Sequence, residues 1–435
     1  MNEATADFIR AHADEDVRQL ALKGTKNPDI DLTFALDQIA GRQTARRKLP
    51  TWAAADGIVF PPHLSMEQCS SEPTARYKAK LALGAAGGAS VRPMAACKAR
   101  MVDLTGGFGV DFSFMAPAFD EAVYVEQQAA LCDIARHNFK TLGITAEVVC
   151  CDGVEFLRQM PHANLIYLDP ARRDRQGQRT YDISDCTPDV IALRDLLLEK
   201  ADRVLIKLSP MLDWRKAVQD LSLSPTTHHP SPCVSEVHIV SVGNECKELL
   251  ILVEGGGFLD GPSGRAERKV EGEYSVCCVN LLPNGSTQVF SFNPPPSTFD
   301  QAPSTYHLSP TTHHFLYEPN ASIMKAGCFE AVADAFGLSQ LAPNSHLFMS
   351  DSPVDSFPGR TFEVERVTTL NKRDLREALS GLTQANITVR NFPLTVAQLR
   401  QRLKLREGGS TYIFATTLAD KSHVLLLCRK LTSAD

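Results

Sequence analysis

Short apolar runs alternate with stretches of helical periodicity in the middle part of the chain. The runs predict five strands, at residues 100–104, 122–126, 146–150, 164–168 and 203–208. Between the second and third strands, the stretch 127–141 has apolar residues at helical spacing, among them Leu131, Ile134 and Ala135. Strands that alternate with helices in this way predict an α/β fold with a doubly wound, parallel sheet.

The pattern changes where this region ends. Residues 236–242 and 247–253 predict two further strands, and the sequence Gly243-Asn244-Glu245-Cys246 between them indicates a hairpin. We therefore expect a seven-stranded sheet in which an antiparallel hairpin follows the parallel strands.

The flanking segments predict a chain of several domains, as its length of 435 residues requires. Helical patterns dominate the start, and the end has the order β-α-β-α-β-β. A predicted hairpin turn at 283–286 and one predicted helix near 321–336 lie between Pro- and Gly-rich stretches. The predicted regions are a helical N-terminal region at 1–78, a Rossmann-like domain at 79–255, a linker with hairpin and helix at 256–345, and a smaller α/β domain at 346–435.

Composition narrows the class of protein. The chain is 43% hydrophobic and 22% charged, as in soluble globular proteins. Its twelve cysteines include no CxxC pair and no Cys/His ligand spacing, which argues against a structural metal and for reduced thiols. The N-terminus has no apolar signal segment and no stretch is long enough for a membrane span, so we expect a cytoplasmic protein.

Charge is distributed unevenly. The formal net charge is −6, whereas residues 360–435 contain 13 Lys and Arg against 7 Asp and Glu, a local charge of +6. This asymmetry indicates either a C-terminal module that faces a polyanion such as RNA or a solvated basic surface, and both interpretations stay open.

A glycine-rich turn follows the first predicted strand. Thr105, Gly106, Gly107 and Gly109 come directly after Asp103, and glycines at such a turn let a ligand approach the backbone. Asp103 can accept from an amino group of that ligand, directly or through water. Because similar loops also bind NAD and FAD, the turn alone does not identify the ligand.

Acidic residues end the next strands of the sheet. Glu126, followed by Gln127, is placed to accept from ribose hydroxyls, and Asp152, followed by Gly153, from an adenine amino group. Taken singly, each acid could equally cap a helix or lie on the surface. Because ligands of open α/β sheets bind at the carboxyl edge of the strands, several acids at that edge predict an adenosine ligand.

The fourth strand ends in Asp169-Pro170-Ala171-Arg172, which resembles the Asp-Pro-Pro-aromatic motif of methyltransferases that act on exocyclic amines. In that motif the carboxylate and the proline carbonyl accept the hydrogens of the amine, which directs its lone pair to the methyl group. Asp169, Pro170 and Arg172 are therefore the predicted catalytic residues. Ala171 and Arg172 depart from the motif, so stacking by an aromatic residue is not expected; Arg172 can stack on a base, hold a phosphate or form a salt bridge.

The whole chain resembles the bacterial class I S-adenosylmethionine (AdoMet) methyltransferases with a C-terminal THUMP-like domain, which are related to the RNA cap guanine-N2 methyltransferases. The residues that carry the resemblance are 64–71, 103–111, 169–173, 244–248 and 317–320. The hairpin ending of the sheet also agrees with it. The resemblance implies AdoMet as cofactor and RNA as partner, and it implies that residues 68–71 cover the cofactor pocket.

The leading hypothesis is an AdoMet-dependent methyltransferase that acts on an exocyclic or ring amine of an RNA nucleobase. A second hypothesis keeps the cofactor and makes the substrate DNA, a protein or a small molecule. A third is a non-catalytic RNA-binding protein. Lys207, at the end of the fifth strand, either faces the substrate or extends along the surface to solvent.

Overall fold

The computed structural model describes residues 1–84, 99–171, 183–222, 233–254, 274–294, 314–342 and 344–431. The chain divides into two compact units. The first contains Met1–His238 and Lys247–Ser275, and the second contains Ile239–Cys246 and Val276–Asp435. No helix of the described residues combines the length and the apolar character needed to cross a bilayer.

Six helices precede the first strand. They are α1 (Glu3–Ala11), α2 (Val17–Lys23), α3 (Leu32–Lys48), α4 (Pro50–Ala54), α5 (His63–Gln68) and α6 (Glu72–Ala82). Asn2, Asp16 and Asp31 cap the first three, each through a side-chain oxygen that accepts the backbone N–H three residues later. The predicted boundary after residue 78 falls inside α6, a helix with seven buried residues, among them Tyr77 and Leu81.

The predicted strands of the central sheet are all present. They are β1 (Arg100–Asp103), β2 (Glu121–Glu126), β3 (Glu147–Cys150), β4 (Ala163–Leu168), β5 (Ala201–Leu208), β6 (Cys233–Val242) and β7 (Glu245–Glu254). Their order is β3-β2-β1-β4-β5-β7-β6. The neighbours from β3 to β5 pair in parallel, and β7 pairs antiparallel to β5. The carboxyl ends of β1 to β5 therefore lie at one edge of the sheet.

Helices connect these strands as the alternating pattern predicts. They are α7 (Val110–Met115), α8 (Ala129–Thr141), α9 (Gly153–Gln159), α10 (Val190–Lys200) and α11 (Trp214–Ser222). A tight turn joins β6 and β7, where Gly243 and Asn244 have φ values of 56° and 67°. Positive φ at both central residues is the conformation that a two-residue hairpin loop requires.

The sheet does not end at β6. It continues through β8 (Ser275–Leu281) and β9 (Thr287–Phe292), so the described residues form nine strands in this sheet. Gly285, in the hairpin that the sequence predicts, has a φ of 83°. The seven predicted methyltransferase strands are thus extended by a second hairpin.

The second unit contains a further sheet of seven strands. Its remaining elements are β10 (Phe315–Pro319), α12 (Ala321–Ala326), α13 (Phe329–Phe336), β11 (Ser339–Gln340), β12 (Phe348–Ser350), β13 (Gly359–Thr368), α14 (Lys372–Ala378), β14 (Asn386–Arg390), α15 (Val396–Leu403), β15 (Thr411–Thr417) and β16 (His423–Lys430). The order is β11-β12-β10-β13-β16-β15-β14. The β-α-β-α-β-β prediction for the C-terminal end is confirmed.

The prediction of one helix over residues 321–336 was wrong. Gly327 has a φ of 68°, in the left-handed region, and ends α12 before α13 begins. A left-handed glycine directly after a helix is a common helix terminator. The apolar periodicity continues across the break because both helices bury one side.

The N-terminal helices pack onto the start of the central sheet. Trp52, Met66 and Ala75 form one buried cluster with Phe108 and Val110 of the glycine-rich turn. The rings of Trp52 and Phe108 meet edge to face, with centroids 4.9 Å apart. The helical region therefore supports the turn from outside the sheet.

Candidate active site

The glycine-rich turn is held in place by strand β2. A Cβ on Gly106 would lie 2.2 Å from the ring of Tyr124, so only glycine fits there. The hydroxyl of Tyr124 donates to the carbonyl of Gly107, whose own N–H donates to Oε2 of Glu126 at 2.9 Å. Gly109 has a φ of 83° at the start of α7. The turn thus runs close to the end of β2.

Glu126 lies where the sequence places it, at the carboxyl end of β2. Its other oxygen, Oε1, accepts the N–H of Gln128 at 2.8 Å, and the residue is 8% exposed. A carboxylate oxygen has two lone pairs, so either oxygen can accept a further hydrogen bond. The neighbouring Gln127 is exposed.

Asp103 is buried at the end of β1. Its Oδ1 accepts the N–H of Thr105 at 2.9 Å. Burial, together with the negative charges of Asp111, Asp169 and Glu126, raises the pKa of Asp103 well above its ordinary value, and the bond from Thr105 only partly opposes this. The predicted acids of β1, β2 and β4 are therefore close enough to interact.

Asp152 caps helix α9, which is one of the roles that the sequence allowed. Its Oδ1 accepts the N–H groups of Val154 and Glu155, at 2.8 and 3.1 Å. A Cβ on Gly153 would lie 2.2 Å from the carbonyl oxygen of Leu104, so Gly153 lets α9 begin against the residue that follows β1. Asp152 is exposed, and its hydrogen bonds among the described residues stay within the first turn of α9 rather than reaching Asp103 or Glu126.

The end of β4 presents the Asp-Pro pair. The N–H of Asp169 donates to the hydroxyl of Thr105 at 2.7 Å, and its side chain is 40% exposed. Pro170 is buried, and no donor among the described residues bonds to its carbonyl. Arg172, together with its neighbour Arg173, lies outside the described residues, so its predicted role is untested.

A buried group of alternating charges lies behind Asp169. Lys207 places Nζ 2.5 Å from Oδ2 of Asp169 and 3.7 Å from Oδ2 of Asp111. Lys78 follows, with Nζ 3.2 Å from Oδ1 of Asp111 and 2.6 Å from Oε2 of Glu248. Positive and negative side chains alternate along this row, which is the arrangement that buried charges require.

Hydroxyl groups complete the surroundings of Asp111. The Oγ of Ser70 and the hydroxyl of Tyr167 both donate to its Oδ2, at 2.8 and 2.7 Å. Burial alone would raise the pKa of Asp111, but Lys78 and Lys207 outweigh it and the pKa is lowered. The carboxylate is thus stabilised in its charged form.

Comparisons with known proteins agree with this architecture. Residues 359–430 match the THUMP domain-like family model, and residues 315–358 match a ferredoxin-like domain model. The crystal structure of a protein from Porphyromonas gingivalis W83 that has been assigned as a methyltransferase is 32% identical, with a TM-score of 0.80. The match covers 99% of this chain and 98% of the other. The chain belongs to this methyltransferase family.

Family membership confirms the fold class and the C-terminal THUMP-like domain. At the level of the family it also confirms a methyltransferase enzyme, whereas AdoMet as the cofactor stays a prediction. The link to the RNA cap guanine-N2 methyltransferases stays a resemblance. A search among curated proteins gave no match.

Weaker structural matches include two complexes with S-adenosylhomocysteine. One is a methyltransferase-assigned protein of Streptococcus mutans, with 14% identity over 36% of this chain and 88% of the other and a TM-score of 0.28. The other is the tRNA (uracil-54, C5)-methyltransferase of Pyrococcus abyssi, with 12% identity over 42% of this chain and 39% of the other and a TM-score of 0.28. At these TM-scores neither match bears on the function of the chain.

The site of the methyltransferase has features that fit AdoMet. Asp103 and Glu126 are buried carboxylates without an ion pair to any described basic residue, and AdoMet carries a positive charge on its sulfur and another on its amino group. A Cβ on Gly107 would meet only the carbonyl oxygen of Thr105, at 3.7 Å, so the turn is open at this point. Two buried carboxyl groups and an open stretch of backbone therefore lie at the same end of the sheet.

Sequence reasoning missed two residues of this candidate site. Lys78 is completely buried on α6, in the same stripe as Ala75 and Leu81, and Tyr167 is buried on β4. The available signal was a lysine within an otherwise apolar helix face, since such a lysine needs a buried partner. Its partner Glu248 lies 170 residues away, which periodicity cannot detect.

Proposed function

We propose that this methyltransferase transfers a methyl group from AdoMet to an exocyclic or ring amine of an RNA nucleobase. The observation that carries the proposal is the position of Asp169. Its half-exposed carboxylate and the carbonyl of Pro170 follow β4, and its backbone is bonded to Thr105 of the glycine turn. The proposed acceptor for the substrate amine is thus hydrogen-bonded, through its backbone, to the loop that we expect to hold the cofactor.

The proposed cofactor site uses the residues of the same sheet edge. Its members are Asp103, Thr105, Gly106, Gly107, Gly109, Glu126, Gln127, Asp152, Gly153 and Asp169. When bound, AdoMet supplies a methyl group attached to a positively charged sulfur. Glu126 would accept from the ribose, and Asp152 would use the oxygen that does not cap α9 to accept from the adenine amino group.

The amine needs help because its lone pair is delocalised into the ring of the base. For an exocyclic amine, Asp169 and the carbonyl of Pro170 would each accept one N–H, which directs the lone pair out of the ring. Proximity and alignment supply much of the remaining acceleration. The proton that the nitrogen loses after the new bond forms can leave to solvent, because the Asp169 side chain is 40% exposed. Arg172 would contact the base or a phosphate.

RNA is the proposed substrate for two reasons. Residues 359–430 match the THUMP domain-like model, and residues 360–435 carry a local charge of +6 within a chain of net charge −6. Of the three alternative substrates, DNA shares only the charge argument, and a protein or a small molecule shares neither. Phosphate contacts would make RNA affinity fall steeply with salt.

The test is methyl transfer from radiolabelled AdoMet to bulk RNA from cells that lack the gene, followed by nucleoside analysis. We expect a methylated amine in the wild-type reaction and a loss of about 100-fold or more in rate for Asp169→Asn. Asp133→Asn, at an exposed position on α8, is the matched control and should keep the wild-type rate. Full activity of Asp169→Asn, or no label in the RNA with the wild-type protein, would contradict the proposal.

A further inference from the structure

Lys207 makes the only contact shorter than 3 Å between the side chain of Asp169 and another described side chain. The ammonium lies at the end of β5, the strand next to β4, so neighbouring strands bring the two residues together. Its bond goes to one carboxylate oxygen, Oδ2. Among the described residues, none donates a hydrogen bond to the other oxygen, Oδ1.

Lys207 is itself restrained. Its side chain is 12% exposed, and Asp111 stands on its other side at 3.7 Å. Asp111 is in turn held by the hydroxyls of Ser70 and Tyr167 and by Lys78. A lysine side chain that is fixed at both sides can fix the carboxylate that it contacts, whereas a solvent-exposed lysine could not.

Other roles fit the surroundings less well. Burial by itself would lower the pKa of Lys207, but the carboxylates of Asp169, Asp111 and Glu248 raise it above its ordinary value. The ammonium therefore keeps its proton and cannot take one from the substrate. Its low exposure also leaves little of its surface for direct contact with a base.

We propose that Lys207 is a positioning residue that holds the Asp169 carboxylate in the orientation in which Oδ1 accepts the substrate amine. The inference rests on the proposed function of Asp169. Lys207 touches neither the amine nor the cofactor in this scheme and acts through Asp169.

The test compares Lys207→Met, which removes the charge, with Lys207→Arg, which keeps it. Arg203→Met is the control, because Arg203 lies on the same strand and pairs with Glu254 at 3.2 Å. The assay uses radiolabelled AdoMet with bulk RNA from cells that lack the gene. We expect kcat to fall about 100-fold in Lys207→Met, with KM within about three-fold of wild type, since a misplaced group of this kind costs that much. Lys207→Arg should recover to within about ten-fold of wild type, and Arg203→Met should be unchanged.

A second readout does not depend on turnover. In crystals with S-adenosylhomocysteine, the Asp169 side chain should keep its wild-type rotamer in Lys207→Arg and leave it in Lys207→Met. An unchanged rotamer together with an unchanged kcat in Lys207→Met would overturn the inference. A fall in kcat that is accompanied by weaker binding of S-adenosylhomocysteine and by lower thermal stability would also overturn it. A purely structural role of Lys207 predicts that all three decrease together.

The two proposals can fail separately. If the wild-type protein methylates no RNA amine, the proposed function fails, while the rotamer comparison still decides whether Lys207 positions Asp169. If Lys207→Met does not fold, Lys207→Gln replaces it, because glutamine keeps a hydrogen-bond donor without the charge and the same outcomes apply.

Discussion

The hydroxyl of Thr105 accepts the backbone N–H of Asp169 at 2.7 Å. The two residues are 64 positions apart, and they follow neighbouring strands, β1 and β4. Thr105 is itself held in place, because its backbone N–H donates to Oδ1 of Asp103 at 2.9 Å. One side chain therefore connects the proposed cofactor turn with the proposed substrate acceptor.

Thr105→Val should lower kcat by about five-fold, because one hydrogen bond of about 1 kcal/mol that positions Asp169 is lost. Thr105→Ser keeps the hydroxyl and is the matched control. Steady-state methyl transfer measures the effect. Equal kcat values for the valine and serine variants would show that the bond does not matter for the reaction.

Gly153→Ala should destabilise the protein by about 1–3 kcal/mol, because the new Cβ would overlap the carbonyl oxygen of Leu104, which lies 2.2 Å from its position. It should also weaken AdoMet binding, since α9 and its cap Asp152 must shift. Gly143→Ala is the control, because it has positive φ but no atom within 4 Å of its Cβ position. Denaturant unfolding and calorimetry with AdoMet should show a binding defect for Gly153→Ala alone.

Asp103 should make both stability and cofactor binding depend on pH. Its folded-state pKa is raised, chiefly by burial, so its favourable contribution to stability is present below its ordinary pKa and is lost as pH rises through the folded value. Asp103→Asn should therefore stabilise the cofactor-free protein at neutral pH relative to wild type.

Binding of a cation should favour the charged form of Asp103. AdoMet affinity should accordingly rise with pH above about 4, the ordinary pKa of Asp, until Asp103 is ionised in the free protein. Calorimetry across this range would measure it, and the pH dependence should be reduced in Asp103→Asn. A wild-type affinity that falls with rising pH would contradict the prediction.

Glu126→Gln should raise the dissociation constant of AdoMet by about ten-fold or more, because a charge-assisted hydrogen bond to the ribose contributes roughly 1.5–3 kcal/mol. Glutamine keeps the shape and one acceptor oxygen, which can still accept the N–H of Gly107, while the bond from the N–H of Gln128 is lost. Glu121→Gln, at the exposed start of the same strand, should bind like wild type. Equal affinities for both variants would remove Glu126 from the cofactor site.

Lys78→Met should lower the free energy of unfolding by about 3–5 kcal/mol, because it leaves the carboxylates of Glu248 and Asp111 buried without this cation. The double variant Lys78→Met/Glu248→Gln should lose less than the sum of the single changes, since the uncompensated charge at 248 is gone. Arg136→Met removes an exposed ion pair on α8 and should change stability little. Additive losses in urea unfolding would argue against a coupled pair.

The local order of apolar and polar residues was sufficient to predict the strands of the central sheet. The run that ends at Asp103 and the alternation around Glu126 and Asp169 predict strands that the structure confirms. The spacing of apolar residues and the residue types that form turns depend only on residues close together in the chain, so they can be read from a single sequence. The break at Gly327 was missed because apolar spacing alone continues through it, although the glycine was visible.

The sequence by itself determined the alternation of strands and helices, and with it the common edge at which Asp103, Glu126 and Asp169 gather. Only the tertiary structure decided what faces these acids. Lys207 beside Asp169, and Lys78 between Asp111 and Glu248, depend on which distant side chains share a site with little water. Charge pairing in a buried place is set by distances in space and by desolvation, and neither quantity follows from spacing along the chain.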